Sequence, residues 1–281
     1  MATQEAIAAA RAPAFPNTFR AALNEGKLVA TLMPRAVTSH LVGQIAANSG
    51  FEAVIVDMEH SVVGLETASG IFSATLSAGI TPLVRVPVCT SEWVSRSLDG
   101  GAMGVVIPHV NSADEARLAV KYAKFAPIGE RSISGGMLQF RLQNTPSAAS
   151  SYVCNEMTLV ICMIETARAV DVVDEILAVE GVDMLHVGTH DLADDLGITG
   201  DLGNEKIFEM YSRISDAAAR ASKNGRKVFI GMGGLQGRPD IISRLVNEDK
   251  NKLIRYISTQ DFPIYTQAMA KTAKEMTSLL K

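Results

Sequence analysis

Short apolar, β-branched runs recur along the chain, each followed by a longer segment whose apolar residues return every three or four positions. The short runs read as strands and the longer spacing as amphipathic helices. Strands are predicted at Leu28–Met33, Ala53–Asp57, Pro82–Val86, Gly104–Ile107, Leu159–Ile164, Met184–Val187, Lys227–Ile230 and Leu253–Ile257. Helices are predicted near 38–48, 65–78, 91–100, 112–124, 168–179, 205–223, 236–248 and 261–280. Polar openers such as Ser91-Glu92 and Ser112 before Asp114 mark helix starts, and glycines such as Gly50, Gly79 and Gly181 mark their ends.

Eight strand–helix pairs in one unbroken run predict an α/β fold, a closed (β/α)8 TIM barrel. A doubly wound open sheet shares the alternation and is the alternative. The length of 281 residues suits one barrel with a short extension, since such barrels take about 250. Residues 1–16 are Ala-rich, carry Pro13 and Pro16, and read as a flexible N-terminal arm, with 17–281 as the single barrel domain. The longest irregular stretch, 125–158, is expected to cross an end of the barrel and to be functional or to hide a short helix.

Composition narrows the function classes. Lys plus Arg is 26 against 30 Asp plus Glu, a net charge of -4, which argues against nucleic acid as a partner. Cys89, Cys154 and Cys162 form no CxxC pair and read as free thiols of a reducing compartment. No apolar run reaches membrane-span length, and the first residues lack the apolar core of a secretory signal. A cytoplasmic protein without a membrane partner is expected.

In a barrel, reactive groups stand at the C-terminal strand ends. There the sequence places Asp57-Met58-Glu59-His60, Arg85, Pro108-His109, Glu165 and Gly188-Thr189-His190-Asp191. Glu165 and Asp191 close adjacent strands and can share a hard divalent cation, or be two solvated loop acids. His60 beside Asp57 can move a proton near neutral pH, or bond a loop carbonyl. Arg85 ends an apolar strand, where a guanidinium binds a carboxylate or enolate, or forms a structural ion pair. The run Gly231-Met232-Gly233-Gly234-Leu235-Gln236-Gly237 misses dinucleotide spacing, because Gln236 stands where the third glycine belongs, and reads as a tight loop.

Asp57-x-Glu59-His60, Pro82-Leu83-Val84-Arg85-Val86-Pro87, Ile164-Glu165-Thr166 and Gly188-x-x-Asp191-Leu192 together resemble the HpcH/HpaI aldolase family of metal-dependent (class II) pyruvate aldolases, over about residues 17–275. Ile107-Pro108-His109-Val110 and Pro127-Ile128-Gly129-Glu130-Arg131-Ser132 further resemble its fungal macrophomate synthase-like branch. The resemblance implies Glu165 and Asp191 as metal ligands, with Mg²⁺ first and Mn²⁺ or Co²⁺ as alternatives. It implies that Arg85 neutralises a pyruvate enolate, and that His60 with Asp57 forms the dyad linked to the base through a metal-bound water. It places Gly188, Thr189, His190 and His109 at the substrate. It implies a 4-hydroxy-2-oxo acid aldolase releasing an aldehyde and pyruvate, with oxaloacetate decarboxylation reaching the same enolate. It also implies a homo-oligomer, a hexamer as a trimer of dimers that exchange C-terminal helices.

The chain departs from the family pattern at Met58, Met163, Thr189-His190 and Ala193, so a non-standard substrate pocket is expected. Two other readings compete. An acyl-CoA ester lyase of the citrate lyase type needs a basic surface, for which Arg131 and Arg141 are the candidates. A non-catalytic ligand-binding barrel needs only the pocket.

Overall fold

The computed structural model describes residues 2–223 and 225–279. Eight parallel strands close into a barrel in sequence order: β1 Val29–Met33, β2 Ala53–Asp57, β3 Thr81–Arg85, β4 Gly104–Ile107, β5 Leu159–Ile164, β6 Met184–Gly188, β7 Phe229–Gly233 and β8 Ile254–Gln260. Closure is made by β1 on β8, with Val29 opposite Tyr256 and Met33 opposite Gln260. β2 to β7 are buried along their whole length, as expected of parallel strands covered by helices outside and side chains within. The open doubly wound sheet is excluded by the β1–β8 pairing.

All eight predicted strands match within three residues at either end. The largest overall offset falls on β7, which starts at Phe229 and runs through Gly233 rather than stopping at Ile230. The first three residues of the glycine run predicted as a loop, Gly231-Met232-Gly233, are therefore strand, and the remaining four form the loop. Close approach explains the composition of this strand end. A Cβ on Gly231 would fall inside the Tyr256 ring, and one on Gly233 would lie 2.5 Å from His186 Nε2. Both rings cross the barrel interior against this strand, and only glycine leaves room for them.

The helix predicted over 168–179 is two short helices, Ala167–Asp171 and Val173–Ala178. Helices at Gln4–Arg11, Thr18–Asn24 and Thr189–Asp195 were not expected. The C-terminal helix spans Asp261–Ser278, and residue 280 of the predicted helix lies outside the described residues.

Where composition suggests a flexible arm, Gln4–Arg11 is helical. Alanine is the best helix former, and Ile7 and Ala10 are buried against Phe125, Met137, Phe140 and Val153. Arg11 Nη2 meets Glu156 Oε2 at 2.6 Å. The stretch 125–158 does hide a helix, Ser147–Met157, which leads directly into β5. This small second core therefore sits beside the start of β5, at the end of that strand away from the expected site. Arg131 is committed there, paired with Asp99 at 2.6 Å and lying over Phe125. Arg141 donates from Nε to Pro13 O at 3.0 Å and lies over Phe15. Neither arginine is free to form the basic surface that a CoA ester requires.

Candidate active site

The site begins with register. Asp57 and Arg85 are the last residues of β2 and β3 and stand directly opposite each other. Their side chains therefore leave the sheet together. Arg85 Nε donates to Asp57 Oδ1 at 2.9 Å and Nη2 to Oδ2 at 2.8 Å, both groups being buried. Asp57 Oδ1 also accepts the backbone N–H groups of Glu59 and His60, at 3.1 and 3.2 Å, which folds the turn after β2. Burial alone would push the Asp57 carboxyl up. The Arg85 hydrogen bonds and charge, with the two N–H groups, outweigh it and hold the carboxyl below the usual range.

Glu59 carries the network onward. Its Oε2 meets Arg85 Nη1 at 2.9 Å and its Oε1 meets His109 Nε2 at 3.1 Å. His109 turns back on Glu165, with Nδ1 3.3 Å from Oε2 and the backbone N–H donating to that oxygen at 2.9 Å. The His109 backbone has φ of +55°, a conformation uncommon outside glycine, and this places both nitrogens on one carboxylate oxygen.

Glu165 ends β5 in the barrel mouth and is buried. Burial pushes its carboxyl up, and the nearby charges of Asp191 and Glu59 push the same way against the pull of His109. Gly188 makes room for it, since a Cβ there would lie 2.5 Å from Glu165 Oε1. Glu165 and Asp191 line one cavity of about 140 Å³ together with Arg85, His60, Gly188 and His190. The structure thus gathers most of the residues named from sequence. His109 and Asp57 stand behind the lining, against Glu165 and Arg85.

Two expected placements differ. The expected dyad of His60 and Asp57 meets only through the His60 backbone N–H, because Arg85 occupies both Asp57 oxygens. The His60 ring is more than half exposed, its Nε2 3.9 Å from Glu59 Oε2. Thr189 does line the cavity, but its hydroxyl is buried, donating to Gly233 O at 2.6 Å and lying 2.8 Å from Tyr211 Oη, so that group is committed to packing. Sequence reasoning assigned no role to Glu59, though it lay within a quoted motif. It also passed over His186, which lines the cavity from within β6.

The donor set suits a hard cation. Four carboxylates, Asp57, Glu59, Glu165 and Asp191, gather here with two guanidinium groups, Arg85 and Arg35, the latter 3.6 Å from Asp57. Two negative charges are left in surplus. Among the described residues no group of three or more His, Cys, Asp or Glu forms a closed metal cage. Glu165 and Asp191 could hold an ion that takes one or two protein carboxylates and fills its other positions with water and ligand oxygens.

The sequence profile described as HpcH/HpaI aldolase/citrate lyase matches residues 35–229. The chain is 41% identical over 224 residues to a 4-hydroxy-4-methyl-2-oxoglutarate aldolase of Hapsidospora irregularis, covering 79% of this chain and 81% of that one. The crystal structure of an HpcH/HpaI aldolase from Desulfitobacterium hafniense superposes with a TM-score of 0.84 at 30% identity, covering 92% of this chain and 96% of that one. Macrophomate synthase superposes with a TM-score of 0.74 at 25% identity, covering 95% and 91%. With the profile spanning well over half its length, and its strand-end carboxylates and arginine gathered on one cavity, the chain belongs to the HpcH/HpaI aldolase/citrate lyase family as a carbon–carbon lyase.

Proposed function

We propose that the protein is a divalent-cation-dependent aldolase that cleaves or forms 4-hydroxy-2-oxo acids through a pyruvate enolate, with Mg²⁺ as its cation and an aldehyde as its second partner. The observation that carries this reading is the convergence of Glu165, Asp191 and Arg85 on one small cavity with surplus negative charge. A 2-oxo acid is an anion and would be repelled by that surplus, which a divalent cation cancels. Held by Glu165 and Asp191, such a cation supplies Lewis-acid charge to the carboxylate and keto oxygens of the substrate.

The chain's own residues do the rest. Arg85 has five N–H donors, of which Asp57 and Glu59 engage three, leaving two for the oxyanion of the enolate. Asp57 and Glu59 fix the guanidinium plane, so little reorganisation is needed when that charge develops. The His60 ring lines the cavity and reaches solvent, which suits it to carry a proton between substrate and water. His109 and Gly188 position Glu165, and His190 borders the mouth.

Deuterium exchange into the pyruvate methyl group is expected with Mg²⁺, to vanish on treatment with EDTA and to return on adding Mg²⁺, Mn²⁺ or Co²⁺. Full exchange in EDTA would sink the proposal.

The C-terminal helix supports a homo-oligomer. Within Asp261–Ser278 only Asp261 is buried, and Phe262, Ile264, Met269 and Met276 are exposed on a helix rich in apolar residues. Such a face is covered by exchange of this helix between copies, in a hexamer built as a trimer of dimers. Light scattering should return six chains for the intact protein and a smaller species when the chain stops at Gln260; a monomeric intact protein refutes the assembly. Cys89, Cys154 and Cys162 are free thiols and no described helix is long and apolar enough to cross a membrane, which suits a cytoplasmic setting.

A further inference from the structure

His186 lies within β6, two residues before Gly188 on the same inward face, and lines the floor of the cavity. It is a polar ring in an otherwise apolar strand segment, Met184-Leu185-His186-Val187. With both Tyr256 contacts made as hydrogen bonds, its tautomer follows. Tyr256 Oη donates its one proton to Leu185 O at 3.2 Å. The contact of 3.1 Å between His186 Nδ1 and Tyr256 Oη is therefore made by an Nδ1–H donor. Nε2 then carries a lone pair, and it has no hydrogen-bond partner among the described residues.

The ring is also neutral. Burial, helped by the charge of Arg85, pushes His186 down to about 3. It is held in place by stacking on Tyr256, with centroids 5.5 Å apart, and by Gly233, whose missing Cβ leaves Nε2 uncovered. The floor of the cavity thus presents one fixed acceptor.

We propose that His186 is a specificity-determining residue, whose Nε2 selects 2-oxo acids that carry a hydroxyl on carbon 3 over those, such as pyruvate, whose carbon 3 is an unsubstituted methyl group. This rests on the aldolase reading of the same cavity. The carboxylate and keto oxygens of a 2-oxo acid are taken by the groups at the strand ends. Carbon 3 is the part left to reach the floor. An unsubstituted methyl carbon leaves the lone pair unanswered, and a second carboxylate or keto oxygen sets lone pair against lone pair. A hydroxyl donates to it. One neutral hydrogen bond gained in this way corresponds to about a tenfold preference.

The test measures pyruvate and 3-hydroxypyruvate binding to the Mg²⁺-loaded protein by calorimetry, alongside carbon-3 proton exchange with D₂O by NMR. The wild type should bind 3-hydroxypyruvate about tenfold more tightly, and His186→Phe should bring the ratio of the two dissociation constants close to one. Tyr256→Phe removes the acceptor that fixes the tautomer and should lower the ratio as well, which keeps the proposal testable if His186→Phe does not fold. A wild-type ratio near one, or a ratio unchanged in the variants, overturns the role of His186. Absence of exchange with both acids in the wild type overturns the aldolase reading instead, while the binding ratio still decides the role of His186.

Discussion

Glu165→Gln is expected to lower aldol turnover by at least about 10³-fold and, in the same protein stripped of divalent cations, to raise thermal stability. The two effects have one cause. Glu165 is a buried carboxylate facing Asp191 and Glu59, so its carboxyl is raised and its ionised form is disfavoured in the folded chain. A carboxyl raised on folding leaves stability intact below its unfolded value, and stability is then lost as pH rises through the folded value. At neutral pH the ionised group therefore costs stability. Glutamine keeps an oxygen to accept the His109 N–H and removes the charge. The stability gap between variant and wild type should close as pH falls below the range of an ordinary carboxylate. Mg²⁺ should stabilise the wild type by mass action and leave the variant unmoved. Thermal melts with and without Mg²⁺ across pH check all of this. A variant that is less stable at neutral pH, or one that still responds to Mg²⁺, would contradict it.

Asp57→Ala should act in the opposite sense on stability. It strands the buried Arg85 guanidinium with Glu59 as its one remaining close carboxylate, and removing one partner of a buried pair costs about 3–5 kcal/mol. The apparent Tm should fall by roughly 6–12 °C. Turnover should fall too, because the guanidinium plane and the turn carrying Glu59 and His60 both lose their anchor. The pH signature is mirrored. A carboxyl lowered on folding contributes stability that is complete above its unfolded value and is lost as pH falls through the folded one. The deficit of Asp57→Ala should therefore be largest at neutral pH and shrink in acid. Urea unfolding at neutral pH and in acid reads this directly, and a deficit that grows in acid would refute the pairing as its source.

The barrel was legible because eight β-branched runs alternate with amphipathic segments. The last three residues of β7 were missed because Gly231 and Gly233 have low strand propensity, and their presence answers two rings from distant parts of the chain. The N-terminal helix was missed because Ala-rich sequence near prolines resembles a linker. What orders it is Ile7 and Ala10 packing on residues more than a hundred positions away. At the site, Asp57, Arg85, Glu165 and Asp191 could be found from the rule that chemistry follows strand ends. Glu59 and His186 could not, since their meaning lies in which neighbours they meet across strands. The Thr189 hydroxyl reads as a ligand group in sequence, and only the position of Gly233 O and Tyr211 shows it facing inward.

The helix Gln4–Arg11 also sets an order of events during synthesis. Residues 4–11 leave the ribosome first, yet Arg11 pairs with Glu156, 145 positions later, and the surface that buries Ile7 belongs to the same late segment. At a typical rate of about 5–20 residues per second, the helix waits on the order of ten seconds for its partner. During that interval a chaperone or a protease meets Ile7 uncovered. β1 waits longer still, because its second neighbour is the last strand made. A nascent chain arrested before residue 150 should therefore be cut readily within its first 16 residues, and one released after residue 160 should begin to resist.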